Sequence, residues 1–248
     1  PTPLELCVLA SGSSGNCSVL KLGVDSDPRY WLIDAGLSPR RTRGLLGDLG
    51  IELDQVEAIL LTHLDTDHFH RGWTSPRVST PLRLHARHVP RAHYGFSSRD
   101  PVTERTQTFV RPFELAPGLR VCPFLASHDY QGVCAFRFDW HTQPALGFAT
   151  DLGHVTIQMV NHFQGVGTLA IESNYCRKLQ LASDRPGALK QRIMGASGHL
   201  SNDETIEAIS QINPAENVVL LHLSRQCNDP DLVASLHEDA RYNLTITN

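Results

Sequence analysis

The sequence predicts a mixed α/β (α+β) chain, two sheets packed together with helices outside, on three observations. The opening residues pattern as strands alone, helical patterns enter only between later strands, and polar residues gather just past the strand ends. At 248 residues the chain is long enough to enclose a sizeable core, and it is read as a single domain, 1–248.

Leu4–Ala10 reads as a short buried strand running into the small-residue loop Ser11–Asn16. Ser18–Gly23 and Tyr30–Asp34 follow as strands around an Asp25–Pro28 turn. Ser38–Leu49 has the marks of a helix: Ser38 as N-cap, Pro39 at the first helical position and Gly50 as terminator. Val56–Thr62 is an apolar, β-branched strand that ends in the polar cluster His63–His70. Further strands are predicted at Leu82–His85, Val121–Ala126, Val133–Trp140, Ala145–Thr150, Thr168–Glu172 and Asn217–His222. In Asn202–Ile212 a Ser201/Glu204 capping box precedes Ile206, Ile209 and Ile212 at helical spacing, and Pro214 stops the helix. Arg87–Pro112 is the least patterned stretch and reads as a loop or lid.

Composition removes several classes of function. A net charge of −4 supplies no global positive field, which argues against a sequence-reading DNA-binding module. It leaves room for a phosphodiesterase, because bound cations provide positive charge locally. Apolar runs such as Ala58–Leu61 are far too short to span a membrane, and Pro-Thr-Pro-Leu-Glu-Leu lacks the features of a signal peptide. Six cysteines at long spacings, with no C-x-x-C pair, predict a reduced cytoplasmic protein in which Cys7 and Cys17 are structural. The 13 histidines are the informative excess.

Thr62-His63-Leu64-Asp65-Thr66-Asp67-His68 places four ligand-type side chains directly after an apolar strand. Alternation along an extended segment would put His63, Asp65 and Asp67 on one side, and a turn at His68 would let Asp67 and His68 face a second metal. Imidazoles and carboxylates are the usual ligands of zinc, iron and manganese. Three more apolar runs end in the same residue types: His128 after Val121–Ala126, Asp151 after Ala145–Ala149, and His222 after Asn217–Leu220. Strand ends that deliver His and Asp to one edge are how a scaffold holds metal on rigid elements.

This series resembles the metallo-β-lactamase superfamily, whose signature H-x-H-x-D-H is followed by distant His, Asp and His ligands. The resemblance implies a four-layer αββα sandwich with two divalent metal ions, zinc or manganese, with iron also compatible. His63, Asp65 and His128 would bind one, Asp67, His68 and His222 the other, and Asp151 would bridge them. The segments Ser11–Asn16, Ile33–Gly36, Ala149–Asp151, Glu172–Tyr175, Gly198–Asn202 and His222–Ser224 resemble the YycJ/WalJ-type branch, described as DNA exonucleases. That likeness implies phosphodiester hydrolysis by metal-activated water, with DNA as substrate and Asp67 orienting the nucleophile. Asp65 departs from the pattern, standing where the signature has His; a harder, anionic ligand shifts preference away from zinc. Cys176 also departs, following Tyr175 where relatives often carry an acidic residue.

By resemblance His199 contacts the scissile phosphate or protonates the leaving oxygen; a helix-start histidine bonded to backbone is the competing reading. Glu172 and Asn174, past another strand end, are supports for ligands or substrate contacts. Ser13 lies in a loop that either holds an anion on backbone N–H groups or is a tight turn. His70, His85, His88, His93, His141, His154, His162 and His237 match no pattern, although His85, His88 and His93 lie in the expected lid. Arg87, Arg91, Arg99, Arg105 and Arg111 make that stretch locally basic, as a path for a phosphate backbone or as a solvated face. The function expected is a metal-dependent phosphodiesterase of the exonuclease kind. The alternatives are a small-molecule hydrolase of a cyclic phosphodiester, thioester or lactone, and a silent metal-binding module.

Overall fold

A computed structural model of the protein describes residues 3–24, 26–89, 101–141 and 143–247. The chain divides into two compact units, 1–110 and 111–248. Each carries one sheet that is antiparallel at one end and parallel at the other.

In the N-terminal unit β1 (Leu4–Ala10), β2 (Cys17–Leu22) and β3 (Arg29–Ile33) form an antiparallel meander. β4 (Val56–Leu61), β5 (Leu82–His85) and β6 (Thr106–Phe109) then join in parallel, giving the order β1-β2-β3-β4-β5-β6. The parallel pairing requires a crossover between β3 and β4, and α1 (Pro39–Asp48) provides it. The Ser38 side chain accepts from Arg41 N–H at the helix start, and Gly50 takes a φ of 73° just beyond its end. The core of this unit gathers Leu32, Leu46, Ile59, Leu61, Trp73 and Leu84. A four-residue helix, α2 (Pro101–Glu104), precedes β6.

In the C-terminal unit β7 (Phe113–Ala116), β8 (Leu119–Ala126), β9 (Val133–Trp140) and β10 (Ala145–Ala149) run antiparallel. Parallel strands β11 (Val166–Glu172), β12 (Asn217–Leu221) and β13 (Asn243–Ile246) complete the order β13-β12-β11-β10-β9-β8-β7. The crossovers carry α3 (Ile157–Phe163), α4 (Arg177–Ala182), α5 (Gly187–Ile193), α6 (Asn202–Ile212) and α7 (Pro230–Ser235). α6 keeps the expected capping box and buries Thr205, Ala208, Ile209 and Ile212 toward a core built on Phe163, Leu169, Ile171 and Leu220.

Two expectations are corrected. Pro101–Glu104 forms α2 and Thr106–Phe109 forms sheet strand β6, so Arg87–Pro112 is not an unpatterned lid throughout; Arg91, His93 and Arg99 lie outside the described residues. His88 is fully buried and does not face solvent, and the half-buried Arg105 spends guanidinium N–H groups on the carbonyls of Thr80 and Trp73 rather than on a substrate path. Cys7 is exposed rather than packed, because it sits on the outward face of β1, whereas Cys17, Cys134 and Cys227 are buried. Among the described residues no helix is long and apolar enough to cross a membrane.

Candidate metal centre

Four expected strands stop one residue early, each beside a ligand-type or supporting residue of its own unit. β3, β4, β10 and β12 end at Ile33, Leu61, Ala149 and Leu221, one residue before Asp34, Thr62, Thr150 and His222. Asp34, Asp151 and His222 then adopt φ values of 63°, 52° and 57°. Non-glycine residues rarely take this left-handed conformation, which turns a side chain out of the pleat at a local cost of order 1–3 kcal/mol.

In the N-terminal unit the extended alternation expected for His63–Asp67 fails. The Asp65 carbonyl accepts from both His68 and Phe69 N–H (2.8 and 2.7 Å), closing a turn over Thr66–His68. His63 and His68 are buried with ring centroids 4.2 Å apart, while Asp65 and Asp67 keep 44% and 25% of their side chains exposed. Behind the two rings lies Asp34, fully buried. Its carboxylate meets His68 Nδ1 at 2.7 Å and accepts from Thr62 N–H and Oγ1 at 2.8 and 2.9 Å. Thr62 Oγ1 in turn lies 2.9 Å from His63 Nδ1. One carboxylate therefore holds hydrogens on Nδ1 of both rings, directly for His68 and through a hydroxyl for His63, and leaves both Nε2 atoms as electron-pair donors. Burial raises the Asp34 pKa above its ordinary value; the charge of His68 and the bonds from His68 and Thr62 oppose that rise.

The Ser11–Asn16 loop is a tight turn: Gly15 N–H donates to Gly12 O, and Asn16 Oδ1 accepts from Gly12 N–H at 2.8 Å. Asn16 Nδ2 sits 2.9 Å from His68 Nε2, and Ser13 is exposed at the tip. Gly36 is required where it stands, because a Cβ there would lie 1.7 Å from the Asp67 carbonyl oxygen.

In the C-terminal unit His128 turns Nδ1 to the Gly198 carbonyl (3.0 Å), which again leaves Nε2 as a donor of electrons. Asp151, Glu172, His199 and His222 offer ligand atoms that all lie within 4.8 Å of one another. Glu172 is the hinge of this group. Its Oε1 meets His199 Nδ1 at 2.6 Å and His222 Nδ1 at 3.2 Å, while Oε2 accepts from Leu152 N–H at 2.6 Å. Asp151 Oδ1 is 3.3 Å from His199 Nδ1 and 3.1 Å from His222 Nδ1. Burial alone would raise the Glu172 pKa; the charge of His199 and the bonds from both histidines win, and it lies below its ordinary value. Burial disfavours charge on His199, but Glu172 and Asp151 outweigh it and push its pKa up to about 11.

Asn174 donates to the His222 carbonyl at 2.8 Å and approaches His222 Nδ1 at 3.2 Å, so it braces a ligand-type residue. The His199 ring binds carboxylates, not backbone. Glu172 supports ligand-type residues as expected, whereas Asp34 was missed as a support although its signal was present: it is an acidic residue immediately following an apolar strand. The donor set is chemically suited to divalent zinc, manganese or iron, with imidazoles whose second nitrogen is engaged by carboxylate, hydroxyl or carbonyl. Two buried carboxylates packed against histidines, as Asp151 and Glu172 are, also favour a nearby cation.

In each unit the strand ends carry buried, oriented histidines and carboxylates of the kind that hold a divalent ion. The family described as the beta-lactamase superfamily domain matches residues 29–223, and the chain belongs to the metallo-β-lactamase superfamily. Exodeoxyribonuclease YycJ of Bacillus anthracis is 27% identical over 232 residues, covering 92% of this chain and 86% of its own. Among solved structures, the zinc-bound PqqB of Methylobacterium extorquens matches with a TM-score of 0.71 at 15% identity, over 98% of each chain. The metallo-β-lactamase fold protein YhfI of Bacillus subtilis matches at 0.69 and 13%, over 99% of this chain and 97% of its own. At such identities these two structures establish the fold.

Proposed function

We propose that the protein is a metal-dependent phosphodiesterase that removes nucleotides from DNA ends. The observation that carries this reading is the similarity to an exodeoxyribonuclease along 92% of the chain. The reading joins both units, 1–248, into one domain, which the family match from residue 29 to 223 supports by running through both. His63, Asp65 and His128 would hold one divalent ion, Asp67, His68 and His222 a second, with Asp151 shared. Zinc and manganese both suit this set, iron also fits, and Asp65 biases the set toward harder ions. The absence of a basic global charge is consistent with a substrate held by local cations, and a cytoplasmic location accords with a DNA substrate and six free thiols.

Divalent ions bound in such a set acidify water and neutralise charge that builds on phosphate oxygens. The residues of the chain do the rest. Asp34 and Glu172 keep the imidazoles in one tautomer and one orientation. Asp67 orients the attacking water. His199, with Nδ1 held by Glu172, presents Nε2 to hold a proton for the leaving oxygen. Asn174 acts through His222, and exposed Ser13 is free to touch the substrate backbone. The net charge of −4 favours a second reading, hydrolysis of a small cyclic phosphodiester, thioester or lactone.

Elemental analysis paired with assays on end-labelled DNA in zinc and in manganese tests the proposal. The expected result is close to two metal equivalents and stepwise release of mononucleotides. No more than one equivalent after saturation overturns the dinuclear assignment, and turnover confined to small esters overturns the nuclease.

A further inference from the structure

In the link between α4 and α5, Arg185 carries a charge that no carboxylate answers among the described residues. Its guanidinium donates from Nε to Gln226 Oε1 (3.1 Å), and from its two terminal nitrogens to Gln180 Oε1 (3.0 Å) and Ser224 Oγ (3.2 Å). All three acceptors are neutral, and among the described residues no carboxylate pairs with it. An arginine has five N–H donors in a rigid fork, so these three bonds leave two unspent. A half-buried guanidinium held rigid by neutral groups is arranged to meet an oxyanion, because a cation partly removed from water gains most from a charged acceptor.

A second observation points the same way. Gln180 is fully buried and its Nε2 has no hydrogen-bond partner. Flipping the amide does not cure this, since a donor would then face the Arg185 guanidinium. A buried N–H group without an acceptor costs about 1–3 kcal/mol, so its retention beside the fork needs a reason. The buried amide fixes the fork through Oε1, and the fork's remaining N–H groups lack an acceptor among the described residues. Their place also matters: Ser224 is two residues beyond His222, and its N–H donates to Asn174 O, the residue that braces His222.

We propose that Arg185, held in place by the buried Gln180, forms a phosphate subsite that grips a non-reacting phosphate of the nucleic-acid backbone beside the one being cleaved. This rests on the phosphodiesterase reading for the identity of the ligand, but the oxyanion chemistry does not. The subsite sets substrate length and end preference rather than the chemical step.

The test uses the metal-loaded protein with two probes, a 5′-phosphorylated oligothymidylate of about ten nucleotides read by fluorescence anisotropy across salt concentrations, and inorganic phosphate read by calorimetry. Arg185→Gln is expected to weaken the oligonucleotide about tenfold and to lower the log–log salt slope by about 0.7, one single-strand phosphate. Because Arg185 also ties the α4–α5 link to the β12 loop, Gln180→Glu serves as the second variant. It supplies an internal carboxylate to the fork, so it should keep the thermal midpoint while losing the same affinity. Wild-type affinity and slope in both variants overturn the subsite, whatever the protein does to DNA. Arg185-dependent binding of inorganic phosphate without any oligonucleotide binding sustains the subsite and removes the nucleic acid. Cleavage of end-labelled DNA with no Arg185 dependence removes the subsite and leaves the nuclease.

Discussion

In the N-terminal unit one buried carboxylate, Asp34, steadies two histidines that lie within six residues of each other in the chain. In the C-terminal unit Glu172 does the same for His199 and His222, which come from separate loops 23 residues apart. The N-terminal arrangement is a local motif locked by a turn, with Asp65 and Asp67 partly in solvent. The C-terminal one is assembled from the ends of β10, β11 and β12, and its carboxylates are 2% exposed or less. The difference teaches where each half is vulnerable. A local motif fails when its backbone is disturbed; an assembled one fails when a shared charge is removed.

The largest effect should come from the reacting groups of the local motif. Asp67→Asn is expected to abolish DNA hydrolysis with an unchanged circular dichroism spectrum; near-normal turnover in folded protein would strip Asp67 of its assignment. Next come the two supporting carboxylates. Removing one from behind a metal-binding histidine usually costs 10- to 100-fold in metal affinity or activity. Glu172→Gln should lie near the upper figure, because Glu172 meets two rings directly, and Asp34→Asn nearer the lower, since His63 is reached only through Thr62. Turnover at saturating metal, read beside metal competition titrations, measures both, and a larger loss of turnover for Asp34→Asn would reverse the comparison.

Backbone vulnerability is tested at Gly36. Its alanine variant forces a Cβ into the Asp67 carbonyl, so the turn must shift, at a cost of about 1–3 kcal/mol by analogy with overpacked cores. Urea unfolding reports the loss, and an unchanged midpoint would show that the turn over Thr66–His68 is softer than its contacts imply.

Asp65→His addresses selectivity. Exchange of a hard anion for a neutral imidazole should raise zinc occupancy over manganese in competition dialysis, in protein matched to the parent in fold and total metal. An unchanged ratio would show that Asp65 does not select the metal. The smallest effect concerns acid stability of the C-terminal unit. Burial holds the His162 pKa below its ordinary 6.5, while its Nε2 meets the Cys122 carbonyl. The folded state thus resists a proton that the unfolded chain accepts. The stability conferred is complete above pH 6.5 and falls away as pH drops through the folded value. Urea midpoints at pH 7.5 and 5.5 should differ less in His162→Phe than in the parent.

Much of this protein was written in local chemistry. Apolar runs closed by polar residues marked Leu82–His85 and Val133–Trp140 as strands, and a capping box marked α6, because periodicity and end signals act within a few residues. The segment His63–His68 was legible as a cluster of ligand-type residues for the same reason: its residues are neighbours in the chain. The short helices α3, α4, α5 and α7, and strands β6, β7 and β13, left too little pattern, since tertiary packing rather than propensity holds elements of four to seven residues. Asp34 acquired its role, and Glu172 its particular partners, only through tertiary structure. A lone acidic residue at a strand end has no meaning until parallel pairing sets β3 beside β4 and β11 beside β12, bringing one carboxylate against imidazoles 34 and 50 residues away. Composition cannot encode that adjacency, because hydrogen bonds act over about 3 Å while the chain separates the same groups by tens of residues.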